Sequence, residues 1–525
     1  MISKSKADSQ FDIILITGEA YDDHPLSPAG IIARVLDARG YSVGIIEKPE
    51  KKEDFTHLGS PKLFFAVTSG SIDSMLNNYT PLKKRRAEDV HSKTSLMPDR
   101  AVIVYCNRIR EYFRGAKIVI GGIEASLRRF AHYDYWDNKV RRSILLDSRA
   151  DILVYGNGEK QIIEIAERIK RGAALKGILG TCILSKEIPP GFIELPTFTE
   201  ALDSKEKFCE MQVKFSNYRN LCQKYENSHV LQYKFPEYTT EDLDWIYSLP
   251  YSRKLSPNSL LNLAQFSVVT HRGCIGNCNF CSIALHQGTK IISRSEESIL
   301  SEIKRITKHP DFKGYIDDLG GPSANMYGLD FESKSGDSSS DRIESSHKRI
   351  IRLLRKARQI PGVKKIFVRS GIRYDLAIRS RDYIKEISEH HISGSLKIAP
   401  EHFSEKVLKL MNKNVLGFSE FYEYFNSLNR GKGQSLRYYL MIGHPGEDEA
   451  TMKELVSNAK KLKNIEQFQL FTPTPMSVST CMYWTGLDPY TKKPVHVVRD
   501  YATKKRFKRM MLECVSSSER KRHKE

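Results

Sequence analysis

Three cysteines stand within eight residues of this chain: Cys274, Cys278 and Cys281, spaced i, i+4, i+7. The chain holds nine cysteines in 525 residues, and the other six are scattered. Three thiolates on one short loop can converge on a single metal centre, and Gly273 and Gly276 let the loop curl around it. The plain alternative is three small buried hydrophobes. Two metal chemistries fit the spacing. A structural zinc needs four ligands, and His271 or His286 could complete a Cys₃His set. An iron–sulfur cluster is held by thiolates, ordinarily four to a [4Fe–4S]. Three local thiolates would leave one iron open, as a catalytic metal site requires. The spacing leaves both readings standing.

The loop must be positioned by what precedes it. Residues 266–270 read as a strand that delivers the chain into the cysteines. Further strand candidates follow at 315–318, 365–369, 395–398, 438–442 and 468–471, with amphipathic helical stretches at 296–308, 348–359 and 418–428. Six strands in βα alternation fit a barrel or partial barrel, where chemistry gathers at the carboxyl ends of the strands. Residues 330–346 are rich in Ser and Asp and read as an exposed loop. Upstream, apolar strands at 11–16, 41–46, 62–67, 117–120 and 151–154 alternate with helical stretches at 29–39 and 159–170. That rhythm implies parallel βαβ units in a doubly wound sheet. Gly-rich turns follow several of these strands, as ligand-binding sheets require, but none spells a phosphate-binding fingerprint. Residues 189–257 are charged, with no strand alternation, and read as a helical connector. The expected fold is therefore α/β: an N-terminal doubly wound domain over 1–190, a mostly helical connector over 191–260, a partial (β/α)6 barrel over 261–495 and a basic tail over 496–525.

Composition narrows the class. Hydrophobic residues make up 40% and charged residues 28%, so a wholly disordered chain is excluded. No apolar run approaches the roughly 18 residues of a membrane span. The first residues, Met1 to Lys6, carry no apolar segment, so a cytoplasmic protein without disulfides is expected. The net charge is +20, of which residues 499–525 supply +6, ten Lys/Arg against four Asp/Glu. Such an excess suits an anionic partner such as RNA, or is solvated surface with a frayed basic end.

Cys274-x₃-Cys278-x₂-Cys281, with Phe280 before the third cysteine and a barrel strand before the first, resembles the radical S-adenosylmethionine (SAM) signature. Longer motifs narrow the likeness. They are GGIEASLRR (121–129), AHYDYW (131–136), DDLGGPSANMY (317–327), RSGIRYD (369–375), KIAPEH (397–402) and GHPGE (443–447). Together these resemble the YgiQ-type radical SAM proteins over about 11–510. The resemblance implies that Cys274, Cys278 and Cys281 hold a [4Fe–4S] cluster whose fourth iron is chelated by SAM. Reductive cleavage of SAM would then give a 5′-deoxyadenosyl radical that takes hydrogen from a substrate, with an external flavodoxin- or ferredoxin-like electron donor. It implies SAM contacts by Gly320 and Gly321 (where Pro322 replaces the usual Glu), by Phe280 near the adenine, and by Arg373 and Glu401. The His444–Glu447 turn resembles a radical SAM turn, and equally a plain strand-to-helix turn. A doubly wound domain before such a barrel is B12-binding-like, but the Asp-x-His-x-x-Gly pattern at Asp22, His24 and Ser27 lacks its glycine, so cobalamin is not expected. His132, Asp134 and Asp137 are weaker acid–base candidates. The substrate is open, with RNA suited by the charge. A zinc-bearing nucleic-acid-binding scaffold without catalysis is the competing reading.

Overall fold

The computed structural model describes residues 10–86, 97–331, 339–413, 416–462 and 464–522. Part of the 330–346 loop and the first residues of the chain lie outside them; from Ser339 the chain is already helical, Ser339–Arg358.

The first half is built on a nine-stranded sheet. Its strands are β1 (Ile13–Thr17), β2 (Val43–Glu47), β3 (Phe64–Thr68), β4 (Ile118–Ile120), β5 (Ile152–Val154), β6 (Thr181–Ser185), β7 (Ile193–Glu194), β8 (Leu221–Tyr225) and β9 (Ser228–Gln232). The spatial order is β2-β1-β3-β4-β5-β6-β9-β8-β7. The first five strands run parallel. Alternation along them explains why both faces are covered. Ile13, Leu15, Phe64, Ala66, Val119 and Val154 turn to one apolar layer, which α1 (Pro28–Asp37) and α2 (Glu159–Lys170) close. Ile14, Ile16, Phe65, Val67, Ile118, Ile120 and Leu153 turn to the other. All five predicted strands lie within two residues of their expected limits.

Residues 191–260 differ from expectation. Helices are present at Phe198–Asp203, Lys205–Lys214 and Thr240–Ser248, but β7, β8 and β9 are there too and extend the sheet. The alternation of the β8–β9 hairpin is hidden because two of its inward side chains are amides. Gln223 accepts a bond from the Ala131 amide at 2.8 Å, and Gln232 accepts one from Arg129 Nε at 2.7 Å. Buried polar groups are tolerated when satisfied in this way.

In the second half, parallel pairing steps through six strand positions in chain order. β10 (Val268–Val269) pairs with Leu319–Gly320, and Tyr315–Ile316 pairs with Lys365–Ile366. Ile372 bridges Ile398 in β11 (Ser395–Glu401), which pairs with β12 (Ser435–Ile442) and then β13 (Ile465–Leu470). The chain is thus α/β with parallel-rich pairing in both halves.

The basic end is not frayed over its described part. Helix Tyr501–Arg522 buries Phe507, Met511 and Cys514 against Met452, Leu455 and Leu470. Lys504 is buried between Tyr135 and Tyr483, donating to their hydroxyls at 3.2 and 2.8 Å, and burial draws its pKa down to about 8. No described helix is long and apolar enough to cross a membrane.

Candidate active site

The cysteine loop is fixed by backbone rather than by its thiols. Gly273 has φ +85°, and a side chain there would strike the Lys290 carbonyl, so only glycine fits. Asn279 donates its amide to the Met411 carbonyl and its side chain to Leu410, both at 2.9 Å, and Asn412 donates to the Asn277 carbonyl at 2.9 Å. Cys281 is the N-cap of helix Ser282–Gln287. The three thiols remain half-buried and unbridged. Burial raises the Cys278 thiol, against the pull of Lys413 and Arg373, and pushes Cys281 up to about 11; each feels its neighbouring cysteines. Thiols raised this way ionise once a cation shares their space.

The structure brings two of the other expected residues to this loop. Arg373 reaches over Gly276, where any side chain would collide with its guanidinium. Its backbone exchanges two 2.9 Å bonds with the Asn325 side chain, and Asp375 holds its guanidinium through two bonds at 2.9 and 2.6 Å. Burial works against that charge, but the Asp375 carboxylate outweighs it. Glu401 ends β11 with φ +68°, a left-handed conformation costly for a residue with a Cβ. Burial raises its carboxyl pKa, countered by Lys413 at 3.6 Å. Phe280 meets His444 edge-on at 6.2 Å and packs on Val407, Leu408 and Met411.

Gly320 and Gly321 sit apart from that group, on a cavity of about 550 Å³ between the carboxyl ends of β1, β3, β4 and β5 and the mouth of the second half. A Cβ at Gly321 would lie 2.6 Å from the His271 imidazole, and one at Gly320 would collide with Ser370 Oγ. Both positions require glycine for close approach.

Among the described residues neither His271 nor His286 joins the thiols in a metal set. His271 Nδ1 lies 2.9 Å from Thr270 Oγ1 and His286 Nδ1 lies 3.1 Å from Ser126 Oγ. Burial holds both neutral, at about 3 and about 4. Among the described residues no three His, Cys, Asp or Glu side chains already surround a common metal position, the thiols included. What the loop offers is three thiols, two nearby cations and the Glu401 carboxylate paired with Lys413, with no histidine joining them among the described residues. That donor set fits a cluster with one open iron better than it fits Cys₃His zinc.

Other candidates prove structural. Asp134 receives the Arg100 guanidinium and the amides of Trp136 and Asp137. Burial raises its carboxyl, but the Asp137 amide and the Arg100 charge outweigh this and hold it low. Asp137 pairs with Arg100 and Arg141. His132 is buried, held neutral at about 4 and bonded to the Phe130 carbonyl. Glu447 receives the Gly443 amide and faces His402 Nε2 at 3.0 Å, tying two motifs together instead of facing a ligand.

Asp22, Asp23 and His24 form a joint. Asp22 takes the Ser256 amide, Asp23 pairs with Arg34 and the Ser252 amide, and His24 Nε2 lies 2.8 Å from the Gln265 carbonyl. Arg253 continues to Glu302, which also holds Arg294. A second buried link joins Arg272, two residues before Cys274, to Glu159 at 2.6 Å. The sequence carries no local signal of these pairings: Arg272 and Glu159 stand 113 residues apart, and Arg253 and Glu302 stand 49 apart.

Residues 268–459 match the Radical SAM superfamily, 3–267 match Radical SAM N-terminal, and 466–518 match a domain of unknown function, DUF3362. A UPF0313 protein of Clostridium botulinum (Type A) is 43% identical over 544 residues, covering 96% of this chain and 84% of that protein. One of Methanosarcina mazei is 42% identical over 576 residues, covering 95% and 91%. The chain is a radical SAM superfamily protein, and iron–sulfur and SAM cofactors come with that membership. It belongs to the UPF0313 family, the YgiQ-type proteins that its motifs resemble. Among solved structures, the radical SAM methyltransferase TsrM from Kitasatospora setae aligns with TM-score 0.53 at 16% identity, over 90% of this chain and 77% of that one. The radical SAM enzyme OxsB aligns with TM-score 0.50 at 11%, over 90% and 55%. These two show likeness of fold.

Proposed function

We propose that the protein is an enzyme that cleaves SAM reductively, with Cys274, Cys278 and Cys281 holding a [4Fe–4S] cluster. When bound, the cluster and SAM supply one-electron chemistry that yields a 5′-deoxyadenosyl radical. The chain's own residues hold and shield. The loop presents three thiols and carries no fourth cysteine. Gly320 and Gly321 let a ligand approach the backbone, Arg373 and Glu401 are fixed beside the thiols, and Phe280 walls the loop. The observation that supports the reading is this three-thiol set, which no histidine joins among the described residues.

The six strand positions are read as a partial barrel over 261–495, and the N-terminal sheet as a B12-like doubly wound domain. Cobalamin is named for the TsrM and OxsB structures. It is not carried over as a His-ligated group, because His24 is bonded at both ring nitrogens, to Gln265 and Leu26. An external electron donor and a cytoplasmic setting go with the same reading. Of the basic helix only Lys504 is turned inward among the side chains described, while Lys505, Arg506, Lys508 and Arg509 stay exposed and leave RNA open as a partner.

Anaerobic reconstitution tests the reading. About four iron and four sulfide per chain with SAM retention are expected. Stoichiometric zinc without SAM binding would favour the nucleic-acid-binding scaffold.

A further inference from the structure

The cavity has two unlike ends. At the second-half end it meets Gly320, Gly321, Asp318, Arg369 and Ser370. At the sheet end it is lined by Leu15, Ile32, Ala66, Val119, Val154 and Ile162, all apolar. Charge is absent there except for Glu159, which is already paired with Arg272. Two polar atoms are left over. Asn157 Nδ2 and His271 Nε2 are both buried, both residues line the cavity, and neither atom has a partner. Asn157 is 9% exposed and His271 is fully buried. An orphaned buried donor is destabilising, so an atom left this way in a cavity wall points to an absent partner.

The sheet geometry agrees. In a parallel sheet ordered β2-β1-β3-β4-β5, the strand order reverses between β1 and β3, and ligands bind beyond the carboxyl ends there. The turns after β4 and β5, Gly121-Gly122 and Gly156-Asn157-Gly158, keep side chains off this opening. Any side chain at Gly122 would strike Thr68, and one at Gly156 would strike Phe235.

We propose that the sheet end of this cavity is a binding site for a neutral, predominantly apolar small molecule that accepts a hydrogen bond from Asn157 and meets His271 on its other side. The proposal rests on the reading above, which gives the second-half end to SAM, and it names the class of the second molecule. A phosphodiester is disfavoured: no unpaired cation lines the sheet end, and the one exposed Arg in the lining, Arg369, stands at the far rim. His271 is held neutral by burial, so it adds no charge to attract an anion.

The probe is Nile red, a neutral planar dye with a carbonyl acceptor, titrated into the full-length reconstituted protein with and without saturating SAM. Saturable, blue-shifted emission that persists with SAM bound is expected. Ala66→Phe, which fills the apolar wall, should weaken the dye about tenfold or more. Asn157→Leu should weaken it while leaving the melting temperature unlowered, because it removes an unsatisfied buried amide. Both folds are checked by circular dichroism. Should Ala66→Phe fail to fold, Asn157→Leu alone decides. Unchanged dye affinity in a folded variant would overturn the proposal. So would displacement of the dye by an RNA oligonucleotide, which would return the site to nucleic acid. SAM binding to the wild type is read separately by equilibrium dialysis. Its failure would strike the radical SAM reading, whereas dye failure with SAM bound strikes only this site.

Discussion

The two ends of the central cavity face each other but are made of different chemistry. The sheet end is apolar side chains and glycine turns, with its one carboxylate neutralised. The other end carries Gly320, Gly321, Asp318, Arg369 and the neutral His271 and His286 imidazoles, while the thiol loop with Arg373, Glu401 and Lys413 lies outside the cavity lining. The sheet end presents an apolar surface, and the other end a polar and charged one. The buried Arg272–Glu159 pair and the Asp22–His24 joint lock the two together, so the cysteine loop is registered against the sheet. A reactive radical needs such an enclosure, because an enclosed site excludes side reactions.

The comparison can be broken at its joint. Glu159→Gln leaves Arg272 buried without a counter-charge and should cost about 3–5 kcal/mol by chemical denaturation. The exposed Lys290–Glu237 pair, removed as Lys290→Ala, should cost less than about 1 kcal/mol. Equal costs would show that the joint does not hold the halves together. Gly321→Ala probes the second-half end. Its Cβ would meet the His271 ring at 2.6 Å, and overpacking of this kind costs about 1–3 kcal/mol. Wild-type stability in that variant would show the imidazole free to move aside.

Acid should separate the ends. His271 and His444 are held at about 3 and His286 at about 4, each lowered by burial, against an unfolded value near 6.5. Their contribution is fully present above pH 6.5 and is lost as pH falls toward the folded values, by up to about 1.4 kcal/mol per histidine per unit. Hydrogen exchange between pH 6.5 and 5 should therefore rise over residues 271–287 before it rises over β3, β4 and β5. The opposite order would contradict this placement of the imidazoles.

Much of this was readable in the chain. The parallel strands announce themselves because apolar residues run unbroken between glycine turns, and the three thiols because their spacing is local. The β8–β9 hairpin was hidden by Gln223 and Gln232, whose side-chain oxygens accept from Ala131 and Arg129, about ninety residues or more away, while their nitrogens donate to carbonyls such as Pro196 and Ser216. The left-handed backbone of Glu401, Lys413 beside it and the orphaned amide of Asn157 are properties of packing and have no signature in residue type. The basic end read as a solvated tail because its charge count masks Phe507, Met511 and Cys514, which dock it.

The central claim is that three thiols hold a cluster that cleaves SAM. The direct measurement is 5′-deoxyadenosine formed anaerobically with SAM and dithionite, in reconstituted wild type and in Cys278→Ala. Wild type should form it, and Cys278→Ala should form none and lose its iron. Undiminished 5′-deoxyadenosine from Cys278→Ala, or none from a wild type that carries its full complement of iron and sulfide, would contradict the account.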